Sequence, residues 1–244
     1  MDQAVGTVGM EISMKVWMKK NLLWVVTFLT IGITTVLMPF FPDRIPMHYD
    51  MAGNIDRWGS KYENYIFPAI IFIMSLFWEC LLRHFRKKQK GADQKECEEA
   101  ANNGKVLQVV AVGMALMFSV MHYCYLYAAF AAAKGQMTES PVDANVVTNV
   151  CMGGFLIVIG NILPKAKLNS AVGLRTVWSM ENDRTWAVSN RFAGKAFIVS
   201  GVLIVIESFV VGGIGSTLIM LGILIAAGII STWYSARAYR KYKD

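Results

Sequence analysis

The sequence predicts an all-α membrane protein. The expected form is a bundle of about six transmembrane helices, with a small extracytoplasmic hairpin-like loop and an interfacial cytoplasmic segment. Three observations carry this. Of the 244 residues, 55% are apolar and 17% charged, where a soluble domain carries roughly 25% charged residues. The apolar residues come in blocks long enough to cross a hydrocarbon layer, which takes ~20 helical residues. The Lys and Arg residues fall almost entirely between alternate blocks, the asymmetry that orients membrane proteins.

Six apolar blocks are read as spans, at 22–41, 65–82, 106–130, 146–163, 196–211 and 214–233. The first follows Lys19 and Lys20 and exceeds a signal-peptide core of ~7–15 residues. No small-x-small site precedes Pro42, so an uncleaved span is expected. The residues before Met18 show no periodic pattern, and Met18-Lys19-Lys20 would itself make an ordinary start. The fifth block is short. It either extends back over 192–195 or crosses a thin point of the bilayer. Gly212 and Gly213 offer a tight turn, so the last two spans should form a helical hairpin.

With the N-terminus inside, twenty of the 24 Lys and Arg residues lie on the cytoplasmic side. Only Arg44, Arg57, Lys61 and Lys134 lie outside. Both termini are therefore expected in the cytoplasm, with the chain multi-pass in the membrane. Three units follow: a cytoplasmic N-terminus at 1–20, a two-span unit at 21–105 with an extracytoplasmic loop at 42–61, and a four-span region at 106–244 with a cytoplasmic loop at 164–195.

In the first outer loop, Gly53-Asn54 predicts a turn between extended arms at 47–50 and 55–58, because Gly and Asn tolerate positive φ. His48, Asp50, Gly53, Trp58 and Lys61 are its candidate functional residues. The run from Arg83 to Lys105 reads as a charged topology determinant and polar linker, whose basic half could hold anionic lipid. The outer loop at 132–144 shows nothing of note. The tail Tyr239-Arg240-Lys241-Tyr242-Lys243 reads as a basic and aromatic stop at the inner surface.

Catalysis finds no support. No HExxH, GxSxG or P-loop pattern occurs, so no catalytic residue is named and no cofactor or metal is expected. Cys80, Cys97, Cys124 and Cys151 are scattered without a CxxC pair and read as small buried residues. His48, Asp50 and Asp56 would be the one set able to ligate a metal, if the first loop folds back. The net charge of +7 points to anionic lipid and not to direct nucleic-acid contact.

Charges inside spans need a partner. Glu79 should pair with Arg83 at the end of the second span. Glu207 and His122 are the intramembrane polar candidates. At ~1.5 Å per residue they reach similar depth, and are expected to share an outward-facing pocket beneath His48 and Asp50. A single buried hydrogen bond between helices would also account for them. Gly222 and Ala226 form a small-xxx-small face, suited to a dimer or to packing within one bundle.

The most informative stretch is 160–195. Lys165, Lys167, Arg175, Arg184, Arg191 and Lys195 alternate there with Trp178 and Trp186. Trp and cations together favour a membrane interface. Pro164 should end the fourth span. Asn182 looks like an N-cap, with Asp183 in the first turn of a short helix that leads into the fifth span. Trp178 and Trp186 would dip into the interface and leave Arg175, Asn182, Arg184 and Arg191 for a cytoplasmic partner, with Asn169 a further docking or interfacial candidate. The same residues would equally serve an amphipathic anchor.

Gly160-Asn161, Leu163-Pro164-Lys165, Asn169, Gly173-Leu174-Arg175-Thr176, Trp178, Asn182-Asp183, Trp186, Asn190-Arg191 and Gly194-Lys195 together resemble the signature of the SdpI family. Two positions depart from it: Val177 stands where the family usually has Pro, and Asn190 where it often has His. The segment PMHYDMAGNIDRWGSK resembles an extracytoplasmic motif that often precedes the SdpI-like region, with the match carried by His48, Gly53, Trp58, Gly59, Ser60 and Lys61. The resemblance implies an integral membrane immunity protein that gives resistance to a secreted peptide toxin. It also implies signalling through a cytoplasmic ArsR-type repressor held at the membrane. Two other readings stay open: a small transporter using Glu207 and His122, and a structural envelope-stress protein.

Overall fold

The computed structural model describes residues 21–50, 52–89, 93–169 and 171–243. The expected N-terminal segment 1–20, including the start at Met18 and the cations Lys19 and Lys20, lies outside the described residues. Among the described residues, six helices are long and apolar enough to cross a membrane. They are α1 (Asn21–Phe40), α2 (Ile66–Lys88), α3 (Gln94–Gly135), α4 (Ala144–Ile162), α5 (Asp183–Val210) and α6 (Gly213–Tyr242). The predicted hairpin is β1 (Arg44–Tyr49) paired antiparallel with β2 (Ile55–Ser60). The chain is a multi-pass membrane protein with one small sheet.

Three loops gather at one end of the bundle: the hairpin at 42–61, the α3–α4 loop and the Gly212 turn. This is called the hairpin end. The loop end carries the α2–α3 connection, residues 163–182 and the end of α6.

α1, α2 and α3 form one packed group around Leu23, Ile71, Leu107, Ala111 and Ala115. Polar rungs join them inside. Thr27 Oγ1 lies 2.7 Å from Ser75 Oγ, and Thr30 Oγ1 lies 2.7 Å from Ser119 Oγ. The threonines recur at one to two helical turns on one face of α1. Each donates to the carbonyl four residues back, so none of the three threonine hydroxyls is stranded in hydrocarbon.

α4 and α5 meet backbone to backbone. A Cβ at Gly153 would fall 2.7 Å from Gly201 O, and one at Gly160 would fall 2.5 Å from Gly194 O. The two contacts are two turns apart on each helix. Small residues permit this approach, and it replaces the hydrophobic effect as the cause of helix association in lipid. α6 is the most peripheral helix, with 17% of its apolar window buried. Gly222 and Ala226 face outward on it.

Two expectations are corrected. The charged run 83–105 is not a polar linker. α2 continues to Lys88, and α3 begins at Gln94 with Asp93 capping Glu96 N at 2.9 Å. Its Glu, Lys, Gln and Ala residues are good helix formers, and Ala100 packs against Phe85. α3 thereby passes unbroken through 105–106. Nor is there a separate short helix before a short fifth span. α5 runs for 28 residues from its Asn182 cap, because no Pro interrupts it and its two glycines are held by packing on α4. The Glu79 pairing appears as expected, with Arg83 Nε at 3.0 Å and Arg86 also on the carboxylate at 2.7 Å.

Candidate functional site

At the hairpin end, Gly53 makes the turn with φ +89°. Asp50 accepts from Ala52 N and Asn54 N at 2.8 and 2.9 Å, and from the Asn54 amide at 2.9 Å. The Asn54 amide, with these N–H groups, holds the Asp50 carboxyl below its ordinary value. His48 Nδ1 sits 2.6 Å from Asp56 Oδ1, so Asp50, spent on the turn, does not complete a triad with them. Among the described residues no group of three metal-ligating side chains forms. Lys61 ties the loop down, reaching Asp43 at 3.0 Å and Phe41 O at 3.2 Å. Trp58 is partly exposed opposite Pro46.

The α3–α4 loop, read from sequence as featureless, belongs to this site. Ile55 N donates to Thr138 O at 2.8 Å, and Ser140 N donates to Gly53 O at 2.9 Å. The loop thus pairs with the start of β2. Asp143 then caps α4 and accepts from Gly213 N at 2.9 Å. Burial alone would raise the Asp143 carboxyl, but the backbone N–H groups of Gly213, Asn145 and Val146 outweigh it and hold it below its ordinary value. The sequence did carry a signal here: Ser-Pro-Val-Asp ahead of an apolar run is an N-cap pattern.

Beneath the hairpin, between β1, α3 and these loops, lies a cavity of about 940 Å³, in the size range of small-molecule and peptide sites. His122 is on its floor, with Nε2 2.8 Å from Thr34 Oγ1. Glu207 is not among its lining residues. This corrects the expectation of one shared pocket. Glu207 Oε1 instead accepts from Ser216 Oγ at 3.1 Å and Asn149 Nδ2 at 3.4 Å. The α4–α5 glycine contacts pull Glu207 toward α4 and α6, whereas His122 faces α1. Similar depth along two helix axes does not bring side chains together when they face different neighbours.

At the loop end, Asn169 pins the first turn of 163–182. It accepts from Ala171 N and Val172 N at 2.7 and 2.8 Å, and donates to Lys167 O and Val172 O. Ser179 Oγ donates to Leu174 O at 2.6 Å. Thr176 Oγ1 pairs with Ser235 Oγ of α6 at 2.8 Å. Asn182 accepts from Arg184 N and Thr185 N and donates to Tyr242 O at 3.1 Å, so it is cap and α6 anchor together.

Trp186 does not lie at the interface. It is 2% exposed, packs with Val106 and Ala166, and donates from Nε1 to Ala166 O at 2.8 Å. As the fourth residue of a helix whose first turn faces the loop, it points inward. Asn190, also fully buried, accepts from Leu174 N at 2.6 Å and donates to Trp186 O at 3.1 Å. Gly173, at φ +135°, lets the loop close over both, since a Cβ there would lie 2.5 Å from the indole. Sequence reasoning missed the receiving side, Asn102 and Asn103 of α3. Asn103 Oδ1 accepts from Lys167 N at 2.9 Å, and Asn102 donates to Lys165 O. Exposed on this surface are Arg175, Arg184 and Arg191 and, in the turn between them, Val177, Trp178 and Met180, with Val177 79% exposed and Trp178 36% exposed.

A model of the SdpI/YfhL protein family matches residues 165–235, most of the loop 163–182 together with α5 and most of α6. A domain of unknown function, DUF1648, matches residues 25–72, which takes in α1, the hairpin and the start of α2. The chain is 25% identical over 225 residues to the immunity protein SdpI of Bacillus subtilis (strain 168), covering 92% of this chain and 98% of that one. It is 32% identical over 88 residues to the uncharacterized protein YfhL of the same organism, covering 35% of this chain and 79% of that one. No solved structure matches.

Proposed function

The chain belongs to the SdpI/YfhL family of membrane proteins, and from that premise we propose that it is an immunity protein giving resistance to a secreted antimicrobial peptide. The hairpin end faces out of the cell and receives the peptide. The loop end faces the cytoplasm, both termini with it, and docks an ArsR-type repressor when the peptide is bound.

The observation that carries this reading is the cavity of about 940 Å³, at the end of the bundle opposite the basic loop. The charge asymmetry supports the orientation. His48, Asp50 and Gly53 line the cavity, and Trp58 and Lys61 hold the hairpin above it. For the inner half, the exposed turn Val177–Met180, flanked by Arg175 and Arg184, supports a docking surface. Asn169, Asn182 and Trp186 build the platform and do not touch a partner. Docking responds to the peptide only if the peptide binds one packing of the bundle better than another. A transport path through His122 and Glu207 has no joined pair to run on, because the two lie in separate clusters.

The test is protection. A sensitive bacterium expressing the full chain is challenged with a panel of secreted membrane-active peptides, with Arg175→Ala beside it. The wild type protects, and Arg175→Ala protects but no longer holds a tagged repressor at the membrane. Failure to protect against every peptide, at normal protein level, overturns the reading.

A further inference from the structure

The cavity meets the hairpin from the side. Residues 46 to 50 line it consecutively, while β2 contributes Arg57 alone. Strand side chains alternate between two faces. A cavity against a face of this sheet would touch every second residue, and from both strands. Over this stretch β1 is bulged, with Met47 left out of the register between Pro46 and His48, and five consecutive lining residues place the cavity along its main chain. That edge is open. The α3–α4 loop bonds to the turn at Gly53 and to Ile55 at the start of β2, but among the described residues β1 pairs with β2 alone. Among the described residues no backbone bond joins it to a third segment. An unpaired row of N–H and C=O groups is a template for another strand.

The surroundings say what such a strand carries. Of the charged residues lining the cavity, Asp50, Glu63, Glu139 and Asp143 are acidic and Arg57 alone is basic. Arg57 is already paired with Glu63 at 3.0 Å. Beside His122, the floor beneath carries apolar residues that include Phe67 and Ala129.

We infer that the secreted peptide is held by strand addition. An extended segment pairs its main chain with the edge of β1, sets apolar side chains on the Phe67–Ala129 floor, and turns cationic side chains to the acidic rim. This rests on the reading of the cavity as a peptide site and names its mode of recognition. Main-chain bonds supply affinity, and alternate side chains supply specificity. Ile45 and Pro46 are buried and Pro46 has no N–H, so the usable edge runs over 47–50, about four residues or ~13 Å.

The probe is a nine-residue synthetic peptide of alternating Val and Lys, titrated onto the full chain in phosphatidylcholine nanodiscs, with empty nanodiscs as the blank. Two forms N-methylated at the amides of one edge or the other test the main chain, and a Val/Glu form tests the charge. Strand addition predicts that one methylated form binds at least about ten-fold more weakly while the other stays within about two-fold. The Val/Glu form does not bind, and Glu139→Lys weakens the Val/Lys peptide. Equal effects of both methylations, equal binding of the Val/Glu form, or no binding at all overturns the inference. Protection measured in cells separates the two levels. Cells that stay protected while no strand peptide binds leave the immunity reading standing without strand addition. Unprotected cells overturn the immunity reading whatever the peptides do.

Discussion

Trp186→Phe asks whether the loop 163–182 is a clamped part of the bundle or an interfacial flap. The substitution keeps a buried ring at a site 2% exposed but removes the Nε1–H that reaches Ala166 O at 2.8 Å. A buried carbonyl left without its donor costs about 1–3 kcal/mol. That cost falls on closing the loop, since α5 keeps its own backbone bonds. At 1.36 kcal/mol per decade the open population rises about 5- to 150-fold. The assay is limited trypsin digestion in detergent, followed at Lys165, Lys167 and Arg175, under conditions where cleavage tracks the open population. Trp186→Phe should be cut in the loop faster by that factor. Trp186→Ala, which also empties the site at about 3–5 kcal/mol, should lower the melting temperature as well. A Trp186→Phe protein cut at the wild-type rate would refute the clamp.

Gly173→Ala should act on the same closure, since it sets a side chain at φ +135° with its Cβ 2.5 Å from the Trp186 ring. A cost of about 2–4 kcal/mol from backbone strain and overpacking is expected as faster loop cleavage. Gly194→Leu should part α4 from α5, because a Cβ there already meets Gly160 O at 2.5 Å; the readout is a lower melting temperature, with an outward-facing control such as Gly222→Ala unchanged. Thr34→Val removes the partner of His122 at 2.8 Å and should cost about 1–3 kcal/mol, with Thr34→Ser restoring stability in the same thermal assay. Asp143 has its carboxyl held below the ordinary 3.8 by N–H groups that include Gly213 N. Its stabilisation is therefore complete above that ordinary value and is lost as pH falls through the lower folded value. Asp143→Asn should flatten the fall in melting temperature in that acid window.

Much of the fold was legible because its signals are local. A run of ~20 apolar residues without charge has few fates other than a span. The turn at Gly53, the Asn182 cap and the Glu79–Arg83 pair each depend on residues within a few positions of one another. The charged helix at 94–105 was hidden because apolar content, the main signal for a span, says nothing of a helix that continues beyond it. The short fifth block had the same cause: Arg184, Arg191 and Lys195 broke the hydropathy but not the helix.

The sequence by itself determined the class, the six helices, the hairpin and the family signature at 160–195. It also marked the residues on which that signature rests. Tertiary structure alone decided what those residues do. Trp186 and Asn190 face inward to close the loop, while Trp178, eight positions earlier, stays at the surface. His122 joins α1 and the cavity, whereas Glu207 joins α4 and α6. The α3–α4 loop bonds to the hairpin turn and the start of β2, and the main chain of β1 lies along the cavity. Each of these turns on which way a helix or strand faces a neighbour distant in sequence. That rotation is set by packing, such as the Gly153–Gly201 and Gly160–Gly194 contacts, and packing between distant segments leaves no periodic trace in either one.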